Sequence, residues 1–141
     1  MKSIFNCNPV IFLFLITSFP LFCQSIEDLE GTWMGNYTCR QGETGMRMRI
    51  QLQTDSSFVG TFEFFPICTN YASHVEIGKY YFTGKFNSSK SITFDFNYWI
   101  FKPDGWTYIN KVGALIDEES LSGKVLDEDC GDFFMKKMIE Y

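Results

Sequence analysis

The clearest structural signal in the chain is the segment Gly45-Met46-Arg47-Met48-Arg49-Ile50-Gln51-Leu52-Gln53. Apolar and polar side chains alternate along it without a break, and a period of two is typical of a β-strand with one buried face. The methionines, isoleucine and leucine therefore point into the protein, while the arginines and glutamines point to solvent. Since no segment of the chain shows a sustained helical period, the sequence predicts an all-β protein.

Seven further segments are predicted to be strands, and residues typical of turns separate them. They are 32–40, 58–64, 80–86, 92–100, 106–116, 121–126 and 133–137. Links this short make neighbouring strands pair in sequence order, which predicts an eight-stranded antiparallel up-and-down barrel of the lipocalin or avidin type. A β-sandwich with Greek-key connections is the alternative, because it is also built from short alternating strands.

The same alternation predicts which side chains fill the barrel. They are mostly large: Phe58, Phe62, Phe64, Tyr80, Phe82, Phe86, Phe94, Phe96 and Tyr98. An eight-stranded barrel is just wide enough to be filled by side chains or to hold one small ligand. We therefore expect a mostly solid core, with any cavity placed toward one mouth.

Aromatic residues with a polar edge are the candidates for binding a ligand at that mouth, because they can both stack and form hydrogen bonds. They are Trp33, Tyr37, Tyr98, Trp106 and Tyr108. In the alternative interpretation, Trp33 plugs the floor of the barrel and the tyrosine hydroxyls are satisfied locally.

A second candidate site lies on the outer face. Arg47 and Arg49 occupy the polar side of their strand, and the alternation places Tyr81 and Trp99 outside as well. Exposed aromatic residues often mark an interface, so these four residues are a candidate partner-binding surface. The alternative is that the outward arginines only protect the sheet from aggregation.

Residues 1–25 are predicted to be a signal peptide. Lys2 precedes the apolar run 10–16, and the chain turns polar at Gln24. Lipidation of Cys23 is the alternative, but Phe22 is too bulky for that processing signal. We therefore expect a secreted or periplasmic protein with no transmembrane segment in the mature chain, and a single β-barrel domain over residues 26–141.

Cleavage of the leader leaves three cysteines, Cys39, Cys68 and Cys130. An odd number in an oxidising compartment indicates one disulfide and one remaining thiol. Closing the predicted barrel brings the end of the first strand next to the start of the last, so Cys39 can reach Cys130. Cys68 is then a free thiol, a buried one or an intermolecular partner.

Several classes of function are disfavoured by the composition. The net charge is −5, and loss of Lys2 makes it −6, so a basic face for nucleic acid is absent. His74 is the only histidine, which excludes a histidine cluster for zinc. Since neither a nucleophile elbow nor a phosphate-binding glycine loop is present, we expect no enzyme, no metal and no cofactor.

The opening of the predicted barrel carries the motif Trp33-x-Gly35-x-Tyr37-x-Cys39-x-Gln41-Gly42-x-Thr44-Gly45, and Cys130-x-x-Phe133 follows near the end. These motifs resemble a small all-β domain of exported bacterial proteins that has no established activity. The resemblance implies the Cys39–Cys130 disulfide, and Cys68 departs from the usual pattern.

Gly31-Thr32-Trp33 is also similar to the start of avidins and lipocalins, which bind small molecules. The leading hypothesis is therefore a non-enzymatic barrel that binds a small apolar or aromatic ligand at one mouth. The alternative is a protein-interaction module, such as an inhibitor of an envelope enzyme or an immunity factor against one. The expected partner is accordingly a small molecule or a protein of the cell envelope.

Overall fold

A computed structural model describes residues 26–54, 56–67, 75–87, 91–109, 112–116 and 119–139. The predicted signal peptide, Cys68 and His74 lie outside the described residues, and the signal peptide and the extent of the domain stay predictions. Within these ranges, no helix is long and apolar enough to cross a membrane.

The described chain is a short 3₁₀ helix, Ile26–Leu29, followed by antiparallel strands. They are β1 (Gly31–Cys39), β2 (Gly42–Thr54), β3 (Ser57–Phe65), β4 (Gly78–Phe86), β5 (Ser91–Phe101), β6 (Val112–Ile116), β7 (Ser120–Val125) and β8 (Asp132–Lys137). Each strand pairs with the next one, and β8 pairs with β1, so the sheet closes on itself. The predictions of an all-β protein and of a barrel are confirmed.

Strict alternation of burial shows why these residues form the barrel wall. In β3 every second side chain is buried, and Phe58, Phe62 and Phe64 point inward. Phe82 and Phe94 extend this packing across β4 and β5, with ring centroids 4.8 Å apart. The interior between β3, β4 and β5 is therefore packed with apolar rings.

Two irregularities interrupt the pairing of β4 with β5. Phe82 pairs with Phe96, but Tyr81 pairs with Tyr98, so Asn97 is an extra residue in β5; a second shift follows between Tyr80 and Lys79. A one-residue slip moves every following side chain to the other face of the sheet. The strict alternation predicted from the sequence therefore fails beyond Phe96.

The predicted orientations of Tyr98 and Trp99 are wrong for this reason. Tyr98 lies on the outer face, 54% exposed, with its ring stacked on Tyr81 at 5.1 Å. Trp99 packs inside against Tyr80, with ring centroids 5.4 Å apart.

The predicted strand over 106–116 is also corrected, because residues 106–109 lie outside the strands and β6 is Val112–Ile116. A turn begins this connection: the Trp106 N–H donates to the Pro103 carbonyl at 3.4 Å, and Gly105 has a φ of 76°. That backbone conformation favours glycine. Residues 102–109 therefore leave the sheet and pass over one mouth of the barrel.

The 3₁₀ helix closes the opposite end. Leu29 is fully buried, and its carbonyl accepts a hydrogen bond from the Trp33 indole N–H at 2.9 Å. The Lys137 ammonium donates to the Asp28 carbonyl at 2.7 Å and lies 5.6 Å from the centre of the Trp33 ring. Trp33 thus forms the floor of the barrel, as in the alternative interpretation of the sequence.

The seam between β1 and β8 depends on a close backbone approach and on a disulfide. Gly35 lies opposite Met135, and the Gly131 N–H donates to the Thr38 carbonyl at 2.7 Å just beyond the paired residues. The Cys39–Cys130 disulfide joins the strands at the same end. The predicted pairing of these cysteines is confirmed.

We expect Gly35→Ala to lower the free energy of unfolding by about 2 to 3 kcal/mol, because overpacking forces backbone shifts. A Cβ at this position would overlap the Phe134 carbonyl oxygen and lie 2.7 Å from the Met135 Cα. Gly131→Ala is the matched control, since its Cβ would meet only the Thr38 carbonyl oxygen, at 3.7 Å. Urea unfolding of both variants measures the difference; equal midpoints would contradict the close approach at the seam.

Candidate functional site

A cavity of about 470 Å³ opens at the barrel mouth opposite the 3₁₀ helix. The β1–β2 turn, residues 105–109 and the β7–β8 connection surround it, and the side chains of Tyr37, Phe64 and Tyr80 lie beneath. This volume is within the usual range of small-molecule sites. The cavity is therefore the best candidate for a functional site in the described part of the molecule.

The walls of the cavity are aromatic and are held by stacking. Trp106 lies against Phe64 with ring centroids 4.9 Å apart and an angle of 25° between the planes. Tyr108 stacks on Phe96 at 3.9 Å and 9°. These contacts hold residues 105–109 against the barrel without strand pairing, and they provide flat apolar surfaces of the kind that bind planar molecules.

Tyr37 brings a polar group to the floor of the cavity. Its hydroxyl has Thr44 and Gln41 as hydrogen-bond partners, and the Gln41 amide also donates to the Thr44 hydroxyl at 3.3 Å. Burial raises the pKa of Tyr37 well above its ordinary value of 10.0, and the two hydrogen bonds oppose the rise only in part. The phenol therefore stays protonated and neutral at physiological pH.

Tyr80 brings a second phenol to the floor, and its environment differs. The side chain is fully buried and stacks on Phe62 at 4.9 Å. Burial raises the pKa of Tyr80 well above 10.0, and the nearby Tyr37 adds to the rise. The Ile109 backbone lies near the hydroxyl and slightly lowers this pKa, but no hydrogen bond of normal geometry reaches the oxygen from any described residue.

The charged residues of the described lining lie at the rim. Asp127, Asp129 and Arg40 border the cavity, and an Arg40 guanidinium nitrogen lies 4.0 Å from an Asp129 carboxylate oxygen. Both side chains are largely exposed, so this ion pair contributes little to stability. Among the residues described, no group of three or more His, Cys, Asp or Glu side chains is placed to hold a metal ion.

Three of the five predicted ligand-binding residues line this cavity, namely Tyr37, Trp106 and Tyr108. Trp33 lies at the closed end and Tyr98 on the outer face, so neither contacts it. Tyr80 also lines the cavity, which the sequence pattern does not predict. Alternation predicts only that Tyr80 points inward, and the distance of its hydroxyl from the mouth depends on how β4 packs.

The predicted outer surface is brought together only in part. Arg47 on β2 lies 3.8 Å from the Glu63 carboxylate. Tyr81 lies two strands away from Arg47, on β4, and its ring stacks on that of Tyr98 on β5. Arg49 is exposed on the same face. Trp99 is not part of this surface, since it packs inside the barrel.

Comparisons with known proteins identify the fold and no more. No protein-family model matches the sequence, and a search of curated proteins gives no match. A redesigned beta barrel matches with a TM-score of 0.58 and 13% identity, covering 84% of this chain and 98% of that one. A de novo designed fluorescence-activating beta barrel matches with a TM-score of 0.51 and 10% identity, covering 79% and 95%. The resemblance to an exported bacterial domain stays a prediction.

Proposed function

We propose that the protein is a secreted or periplasmic, non-enzymatic barrel that binds a small apolar or aromatic ligand at the mouth formed by residues 105–109. The observation that carries this proposal is the 470 Å³ cavity with aromatic walls. Because the core beneath the cavity is packed and Trp33 closes the opposite end of the barrel, a ligand enters at this mouth. The lipocalin-like character of the barrel belongs to the same proposal.

Trp106→Ala is expected to weaken binding of the neutral fluorophore N-phenyl-1-naphthylamine by about tenfold or more. Burying an aromatic side chain against a ligand contributes on the order of 1.5 kcal/mol or more, which corresponds to about that factor. A fluorescence titration of the purified mature protein gives the dissociation constants. Tyr108→Ala is expected to act in the same direction.

Tyr98→Ala is the matched control, because it removes an exposed aromatic side chain from the outer face of the barrel. Its affinity for the fluorophore should equal that of the native protein. Circular dichroism establishes that each variant is folded. Equal affinities for Trp106→Ala and the native protein would contradict a binding site at this mouth.

An interaction module that acts on an envelope protein is the second candidate. It is supported by exposed apolar side chains around the Tyr81–Tyr98 pair, where Ile100 and Phe101 are 51% and 58% exposed. Exposed apolar groups of this kind often mark an interface. In a pull-down from the periplasm of the host, loss of a captured protein with Tyr98→Ala but not with Trp106→Ala would favour this candidate.

A further inference from the structure

We infer that the cavity is selective for a planar aromatic ligand that carries a carbonyl oxygen, and that the Tyr80 hydroxyl donates a hydrogen bond to that oxygen. This inference rests on the proposed function, since it names the class of molecule that the same cavity would take. It assigns to Tyr80 the role of a specificity-determining residue.

The first observation is the unpaired hydroxyl itself. The Tyr80 side chain has no exposed surface, lines the cavity and has no hydrogen-bond partner of normal geometry in the described part of the chain. Leaving a buried hydroxyl unpaired is costly, and most such groups in proteins have a partner. A ligand that supplies the missing acceptor would remove this cost when it binds.

The contrast with Tyr37 supports a role in binding. Tyr37 lines the same cavity, and the Thr44 and Gln41 side chains act on its hydroxyl as hydrogen-bond partners; Thr44 also donates to the Gly42 carbonyl at 3.3 Å. Tyr80 has no such side-chain partner, and only the Ile109 backbone lies near its hydroxyl. The Tyr80 hydroxyl proton is therefore without an acceptor among the described residues. A purely structural role for both tyrosines would predict two satisfied hydroxyls.

The chemistry of the acceptor follows from what surrounds Tyr80. Its described neighbours at the floor are aromatic rings, those of Phe62, Phe96 and Trp99. Moving a carboxylate into such surroundings without a cation is expensive, whereas a neutral carbonyl needs only a donor. Arg40, the cation of the cavity lining, lies at the exposed rim. A neutral carbonyl oxygen therefore fits the floor better than an anion does.

The shape of the ligand follows from the walls. Trp106 and Tyr108 present ring surfaces at the mouth, each backed by a second ring. Because the Ile109 backbone lies beside the Tyr80 hydroxyl, a ligand oxygen has to displace it to form the hydrogen bond. Residues 102–109 belong to no strand, so this displacement breaks no sheet hydrogen bonds.

The test compares 9-fluorenone with fluorene, two planar tricyclic molecules that differ by the carbonyl group. Equilibrium dialysis against the mature protein is expected to show about tenfold tighter binding of 9-fluorenone, the effect of one hydrogen bond to a buried hydroxyl. In Tyr80→Phe this preference should fall to about one. Tyr98→Phe removes a hydroxyl from the outer face and should keep the preference.

The outcomes separate the inference from the proposed function. If neither compound binds the native protein, the proposed function fails and the inference fails with it. If both bind without preference, or if Tyr80→Phe keeps the preference, the inference alone is overturned.

The stability of the unliganded protein provides a second readout. Tyr80→Phe should raise the melting temperature, because it removes an unsatisfied buried group, and Tyr37→Phe should lower it, because it breaks satisfied hydrogen bonds. A lower melting temperature for Tyr80→Phe would show that the protein itself satisfies the hydroxyl, which would overturn the inference.

Discussion

Replacing both Cys39 and Cys130 by serine is expected to lower the free energy of unfolding by about 4 to 5 kcal/mol. The disulfide joins residues 91 apart in sequence, and in the chain-entropy model a loop of that length gives about this value. It also closes a seam in which β1 and β8 share only the pairs from Trp33–Lys137 to Tyr37–Phe133. Urea unfolding of the purified mature protein measures the change.

The effect of the bridge can be separated from that of the serines by adding a reductant. Dithiothreitol should shift the unfolding midpoint of the native protein toward that of the double variant and leave the double variant unchanged. Since both cysteines line the cavity, the double variant should also bind N-phenyl-1-naphthylamine more weakly. A loss of less than about 1 kcal/mol would show that strand pairing alone holds the seam.

Trp33→Ala is expected to cost about 3 to 5 kcal/mol, the usual range for truncating a buried tryptophan. The side chain is fully buried, donates to the Leu29 carbonyl and lies beneath the Lys137 ammonium. Its removal leaves a void at the closed end and releases the 3₁₀ helix that covers it. Urea unfolding checks the loss, and hydrogen exchange at residues 26–30 checks the release of the helix.

Trp33→Phe is the conservative control, because it keeps an aromatic ring and loses the indole N–H. It should cost clearly less than Trp33→Ala, since the hydrogen bond alone contributes about 0.5 to 1.5 kcal/mol. Equal costs for the two variants would mean that the hydrogen bond to Leu29, rather than the filling of the closed end, is what Trp33 contributes.

The cavity shows how far the sequence pattern places residues at the mouth. Tyr37 lines it, because β1 alternates regularly and Tyr37 lies near the end of that strand. Trp106 and Tyr108 also line the cavity, although the strand predicted for them does not form. Packing of these two rings on Phe64 and Phe96 determines where they lie at the mouth.

One residue predicted for the outer surface, Trp99, lies inside the barrel. Trp99 was predicted to face outward because alternation was extended through β5 without an extra residue. The alternation of the sequence continues through Asn97, so it gives no indication of the bulge. Whether Tyr98 or Trp99 faces the interior depends on which of the two rings packs better against Tyr80 on the neighbouring strand.

Most of the strands, their antiparallel pairing and the placement of Cys39 next to Cys130 follow from the sequence pattern. These features depend on local alternation and on mostly short links between consecutive strands. The bulges in β5, the path of residues 102–109 and the unpaired hydroxyl of Tyr80 do not follow from the sequence pattern. Each of them depends on how large rings from segments far apart in sequence pack together in one interior.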